Sequence, residues 1–277
     1  MAATWIARQS VGTERARDLR RAIVAVWLDE IRDAMVVNHR RWRHARIEGL
    51  GPLKDRTAIV AAKAADHSIK VIEKSLRPIL GSTPMEPVAV IVLATIEDYI
   101  SFISPFYGEE GAFATSGGVY IRSVNESFPF IVLSAPRPQS VGVTLAHELT
   151  HHALVGLQLP LWVEEGLTQM MEERATGVHT FVLNRELVER HRDRWARAGL
   201  ASFWDGSAFG SPHEDEQELA YHLAQILVRG QLDRDAEAFF RFTRACNAIG
   251  PDAAMRAHFG SSPDEAVHRF FELSLNQ

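Results

Sequence analysis

His147-Glu148-Leu149-Thr150-His151, followed after a short link by Leu161-Trp162-Val163-Glu164-Glu165-Gly166-Leu167, is the stretch on which the reading of this chain turns. On a helix, residues four apart lie one turn above each other, so both imidazoles can reach a single metal ion. Glu148 is one step round from His147 and projects beside that ion, where a carboxylate can take a proton from activated water. Val143, Leu145, Leu149, Leu154 and Val155 supply an apolar side, and no proline or glycine interrupts Val143 to Val155. Twelve histidines in the chain make a chance match to this pattern inexpensive, so a third ligand is needed. Hydrolytic metal sites keep three protein ligands and leave one position to water. Glu164 and Glu165 open the next helix after a link containing Gly156 and Pro160, and either could face back towards the histidines. A solvated acidic pair favoured by the helix N-terminus is the alternative.

Outward from this stretch, the chain after Pro138 reads as helical almost throughout. Helices are expected near 139–156, 161–176, 180–198, 214–230, 234–248, 251–258 and 263–274, with glycine and proline at the breaks. Upstream the texture differs. Pro87-Val88-Ala89-Val90-Ile91-Val92-Leu93 is a short β-branched run that reads as a buried strand, Ile96 to Ile103 as a helix, and Gly117 to Arg122 and Phe128 to Ser134 as two more strands. The expectation is an α+β fold with a small mixed sheet.

Towards the amino terminus, Leu19, Ile23, Val26, Trp27, Ile31 and Met35 recur at helical spacing, which predicts a helix from Thr13 to about Ile47, broken by Gly49, Gly51 and Pro52. A second helix is expected from Thr57 to Leu80. The basic run from His39 to Arg46 reads as the cationic end of the first helix, with an anionic partner surface as the rival. A boundary near residue 85 would separate an N-terminal helical region (1–84) from the rest (85–277).

Composition sets the outer limits. The chain has 277 residues, 46% hydrophobic and 23% charged, with a net charge of −5, which excludes disordered, collagen-like and disulfide-stapled classes. The mild acidity argues against nucleic acid as a partner. The lone Cys246 excludes an internal disulfide and fits a reducing compartment. No apolar run approaches the ~20 residues that span a bilayer, and no cleavable leader is legible. A soluble cytoplasmic protein without membrane contact is expected, and its oligomeric state is not readable.

The segment Trp162-Val163-Glu164-Glu165-Gly166, downstream of the two histidines, resembles the third-ligand helix of the gluzincins, the zinc peptidases related to thermolysin. Its shorter link is similar to the compact minigluzincin or peptidase-MA-like group. The resemblance covers roughly 85–277 and implies a zincin-like catalytic unit, with a small mixed sheet over the histidine helix, a helical lobe after it and N-terminal helices before it. It implies Zn2+ held by His147, His151 and Glu165, Glu148 as general base, and peptide-bond hydrolysis in a peptide or protein substrate. Gly166 would let the Glu165 helix approach closely. Tyr221 lies 56 positions beyond Glu165, close to where gluzincins place an oxyanion donor; a core tyrosine is the equal alternative. The Gly118, Val119 and Tyr120 strand resembles the edge that borders the cleft and would pair with an extended substrate, although the glycines Gly117 and Gly118 could simply make a turn. His222 is a weaker candidate, and His152 reads as a packing or surface histidine. Gln169 and Glu172 are candidates to orient the ligand imidazoles; the family often carries an acid at the first of these positions, from which Gln169 departs. Two rival functions remain: a zinc-binding but inactive gluzincin-like module, and a helical interaction protein with structural histidines.

Overall fold

A computed structural model describes residues 14–35, 39–44, 46–52, 55–82, 84–106, 117–122, 129–134, 140–179 and 181–274. The expected element starts at Thr13, Phe128, Gln139 and Thr180 lie outside the described residues. The chain divides into two compact units, Met1–Ala153 with Arg174–Gly177, and Leu154–Glu173 with Val178–Gln277.

The first unit is built on a five-stranded mixed sheet. Its strands are β1 (His39–His44), β2 (Ile47–Pro52), β3 (Val88–Leu93), β4 (Gly118–Ile121) and β5 (Phe130–Ser134), in the spatial order β1-β2-β3-β5-β4. The β2–β3 and β3–β5 pairs are parallel, and the outer pairs β1–β2 and β4–β5 are antiparallel. Strand β3 is buried along its whole length, as its unbroken apolar composition requires of a strand covered on both faces. One face packs Leu50, Ile91, Val119 and Val132 against Val24 and Leu28 of helix α1 (Glu14–Ala34) and Tyr99 and Ile103 of a later helix, α4 (Ile96–Ile103). Helix α4 starts where the Thr95 hydroxyl caps the Asp98 N–H at 3.0 Å. Between β2 and β3 lie α2 (Asp55–Ser75) and the short α3 (Arg77–Leu80), which Pro78 separates from α2.

The N-terminal region departs from the helical expectation. Helix α1 ends at Ala34, and the basic run that follows is strand β1, at one edge of the sheet. Helical periodicity carried through this run because a strand of arginines has no apolar alternation to oppose it. The two glycines that read as helix breakers belong to β2. Trp42 sits opposite Gly49, and a Cβ on that glycine would lie 1.9 Å from the indole, so the ring fills the space that a side chain would take. Arg41 and Arg43 both pair with Glu48, which is buried. Part of the basic run therefore neutralises an interior carboxylate. The region before residue 85 thus carries two strands besides its helices, and β2 pairs with β3 across that point. Within α1, Val26 is 61% exposed while Val24 and Leu28 enter the core.

Helix α5 (Ser140–Leu154) follows the sheet in the chain, and α6 (Leu161–Thr176) follows a 3₁₀ turn over Val155–Leu157. The second unit continues with α7 (Arg185–Ala198), α8 (Ala201–Trp204), α9 (Glu214–Arg234), α10 (Ala236–Ile249), α11 (Pro251–Phe259) and α12 (Pro263–Ser274). Apart from the short α8, which was not expected, these match the helical expectations closely, because the breaks carry caps or glycines: Asn184 caps α7, Asp235 caps α10, and Gly250 and Gly260 take positive φ. Helix α6 is buried without interruption from Trp162 to Glu173. Trp162 packs against Trp204 and Phe242, which makes it a core residue. Among the described residues, no helix is long and apolar enough to cross a membrane.

The second unit also buries two histidines. His191 accepts a hydrogen bond at Nδ1 from the Trp195 indole (3.1 Å), and the His222 ring lies 4.3 Å from that of Phe181. Burial, with the neighbouring His222 and the Arg190 guanidinium adding to it, pushes the His191 pKa down to about 3; burial also lowers that of His222. His191 stays neutral in the folded unit down to that range, whereas the unfolded chain protonates it below about 6.5. The stability that neutral His191 contributes is therefore complete above that pH and declines as pH falls towards 3, by up to about 1.4 kcal/mol per pH unit. Urea midpoints measured in chelator at pH 7.5, 6.5 and 5.5 should fall in that order, and less steeply for His191→Phe. An equal slope in the variant would contradict this assignment.

Candidate metal centre

His147, Glu148 and His151 lie in the second half of α5, as the spacing predicts. The buried Thr150 hydroxyl donates to the Ala146 carbonyl at 2.8 Å, so the polar residue inside the motif is satisfied within the helix. The two ligand candidates come close together: Nε2 of His147 and Nε2 of His151 are 3.3 Å apart. Two nitrogens bound tetrahedrally to zinc at 2.0–2.1 Å stand about 3.3–3.4 Å apart, so this separation suits one shared ion. Glu148 is 5% exposed.

Strand β4 runs against the same helix. Gly118 and Tyr120 face α5, whereas Val119 and Ile121 enter the opposite core, as strand alternation requires. A Cβ on Gly118 would lie 2.5 Å from Thr144 Cγ2, one turn before His147, so the glycine permits the close approach of strand and helix. This position is within β4, which removes the turn alternative for Gly118. Among the described residues β4 is a terminal strand of the sheet, paired with β5. The Tyr120 side chain is committed to His152, whose Nδ1 lies 3.2 Å from the phenol oxygen. His152, expected to be a packing or surface residue, is buried and also contacts the Glu86 carbonyl through Nε2 at 2.9 Å. Burial lowers its pKa despite these contacts.

In the second unit, Glu164 and Glu165 are both buried in the first turns of α6, not solvated. Gly166 makes a close approach, but to α9: a Cβ there would stand 2.5 Å from the Ala224 carbonyl oxygen. Gln169 donates to the Tyr221 carbonyl at 2.8 Å, a further tie between α6 and α9 in place of a bond to a histidine. Tyr221 is half-buried, with its ring edge-on to Phe209 at 5.2 Å. Glu173 pairs with Arg229, and His179 Nδ1 lies 3.6 Å from its carboxylate. Neither Gly166's partner nor the Tyr120–His152 contact carries a signal in the sequence, since both depend on which helix or strand arrives from elsewhere in the chain.

Among the described residues, His147, His151 and Glu165 form a group able to hold a metal ion, with one ligand atom from each within 4.8 Å of the others. Helical neighbours point about 100° apart, so Glu164 cannot share this role from the same turn. Glu165→Gln should weaken zinc binding by at least about tenfold, while Glu164→Gln should not. Chelator competition on the two variants checks the ranking, and the reverse order would overturn the assignment of Glu165.

No protein-family model matches the sequence, and no curated protein matches it.

Proposed function

We propose that this chain is a zinc-dependent metallopeptidase of the compact gluzincin type, with His147, His151 and Glu165 as metal ligands. The observation that carries the reading is the pairing of the two Nε2 atoms at 3.3 Å with a carboxylate within 4.8 Å of both. Two neutral imidazoles and one carboxylate are a donor set that zinc accepts, and three protein ligands leave one position open. Zinc held there supplies Lewis acidity, lowering the pKa of water and polarising a scissile carbonyl. The Glu148 carboxylate takes the proton that the attacking water loses and returns it to the departing amine nitrogen. Strand β4, packed along α5 by Gly118, is the segment assigned to lie beside an extended peptide, while the Tyr120 side chain serves the fold. Tyr221, whose main-chain carbonyl accepts from Gln169 on the helix that carries Glu165, is the candidate oxyanion donor, with a packing role against Phe209 as the equal alternative.

Metal analysis tests the reading. Purified protein should carry about one zinc per chain, removed by chelators and absent from His147→Ala and His151→Ala. Stoichiometric zinc in either variant, or none in the wild type, would remove the basis of the assignment. Bound zinc without cleavage of a mixed peptide library would instead favour a binding module.

A further inference from the structure

The geometry points to a positioning clamp, formed by Tyr120, His152 and Glu86, that holds the His151 turn of α5 in register for metal binding and is anchored on the N-terminal helix α1. The inference rests on the metal-centre reading above, but its geometry lies wholly within the first unit. His152 directly follows the ligand His151, and its imidazole is tied at both nitrogens. A carbonyl only accepts, so Nε2 carries the proton that it donates to the Glu86 carbonyl at 2.9 Å. Nδ1 then accepts from the Tyr120 hydroxyl at 3.2 Å. A single proton arrangement satisfies both contacts.

The two tethers come from different directions. Tyr120 lies on β4, and Glu86 sits two residues before β3. Together they oppose rotation of α5 about its own axis at this turn. That rotation matters, because a site must be held within about 0.5 Å and 10–20° to act. Glu86 is itself fixed: Arg20 Nη1 lies 3.2 Å from one carboxylate oxygen and Arg17 Nε 3.6 Å from the other. These arginines are three apart on α1 and share a face. The basic N-terminal helix thus reaches the metal helix through one residue, by its carboxylate on one side and its carbonyl on the other.

Zinc affinity by chelator competition, the visible spectrum of the cobalt(II)-substituted protein and the unfolding temperature of metal-free protein test the clamp together. Tyr120→Phe removes only a hydroxyl. It and His152→Leu should weaken zinc binding about 10–100-fold and shift the cobalt bands. His152→Gln should recover most of the affinity, because its amide N–H can reach the Glu86 carbonyl while its oxygen accepts from Tyr120. Arg17→Ala with Arg20→Ala should weaken zinc in the same direction. Wild-type zinc affinity and an unchanged cobalt spectrum in Tyr120→Phe and His152→Leu, even with a lowered unfolding temperature, would overturn the clamp and leave the metal centre standing. A wild-type chain that binds neither zinc nor cobalt would overturn the metal centre, and the clamp with it.

Discussion

Glu148→Gln should retain stoichiometric zinc yet lose about 10²–10⁴-fold in turnover, the contribution expected of a general base. The amide keeps the shape of the carboxylate but cannot take up a proton. Glu148 is buried beside His147 on α5, and it is not part of the ligand group, so metal content and activity should separate. The measurement is kcat on a cleaved peptide with zinc content determined on the same preparation. Unchanged turnover at full zinc occupancy would remove Glu148 from the mechanism. Loss of zinc would instead make it a contributor to metal binding.

Gly166→Ala should destabilise the fold strongly, because the added methyl meets backbone. The new Cβ would meet the Ala224 carbonyl oxygen and Val228 Cγ2, each at 2.5 Å, and the Ala224 carbonyl carbon at 2.9 Å. A backbone carbonyl inside α9 cannot swing aside as a side-chain tip can, so α6 and α9 must separate. Overpacking of this kind costs about 1–3 kcal/mol, and more where backbone has to move. At roughly 2–4 °C per kcal/mol for a chain of this size, unfolding should come several degrees earlier. Glu165 is the next residue, so zinc affinity should fall too. Gly230→Ala, on α9 itself, is the control: nothing lies within 4 Å of its Cβ position, and alanine's better helix propensity should stabilise by up to about 1 kcal/mol. Equal stability of the Gly166→Ala protein and the wild type would refute the close packing of α6 on α9.

The candidate centre was legible to the extent that its parts are local. Four-residue spacing on a helix without breakers brings His147 and His151 together whatever the rest of the chain does. Gly118 was legible as a site of close approach, although its partner, Thr144, was not. Gly166 shows the limit: its need for space could be read, but the neighbour that demands it is α9, fifty-eight positions further on at Ala224. His152 could be read only as a packing or surface residue, because a histidine's pattern position does not reveal one acceptor, the Glu86 carbonyl, and one donor, the Tyr120 hydroxyl, arriving from elsewhere in the chain.

The sequence by itself determined the succession of elements from β3 onwards, since caps, glycines and period-two or period-four apolar patterns are short-range physics. It also determined the two-histidine motif and its adjacent carboxylate. Only the tertiary structure decided that the basic run 39–44 is an edge strand, because its register depends on Trp42 covering Gly49 and on Glu48 drawing Arg41 and Arg43 inward. Spacing alone left Glu164 and Glu165 open and only the family resemblance favoured Glu165; in the structure it is Glu165 that groups with His147 and His151. Both carboxylates are buried in one helical turn, and the close packing of α6 on α9 at Gly166 fixes the rotation of the helix that carries them.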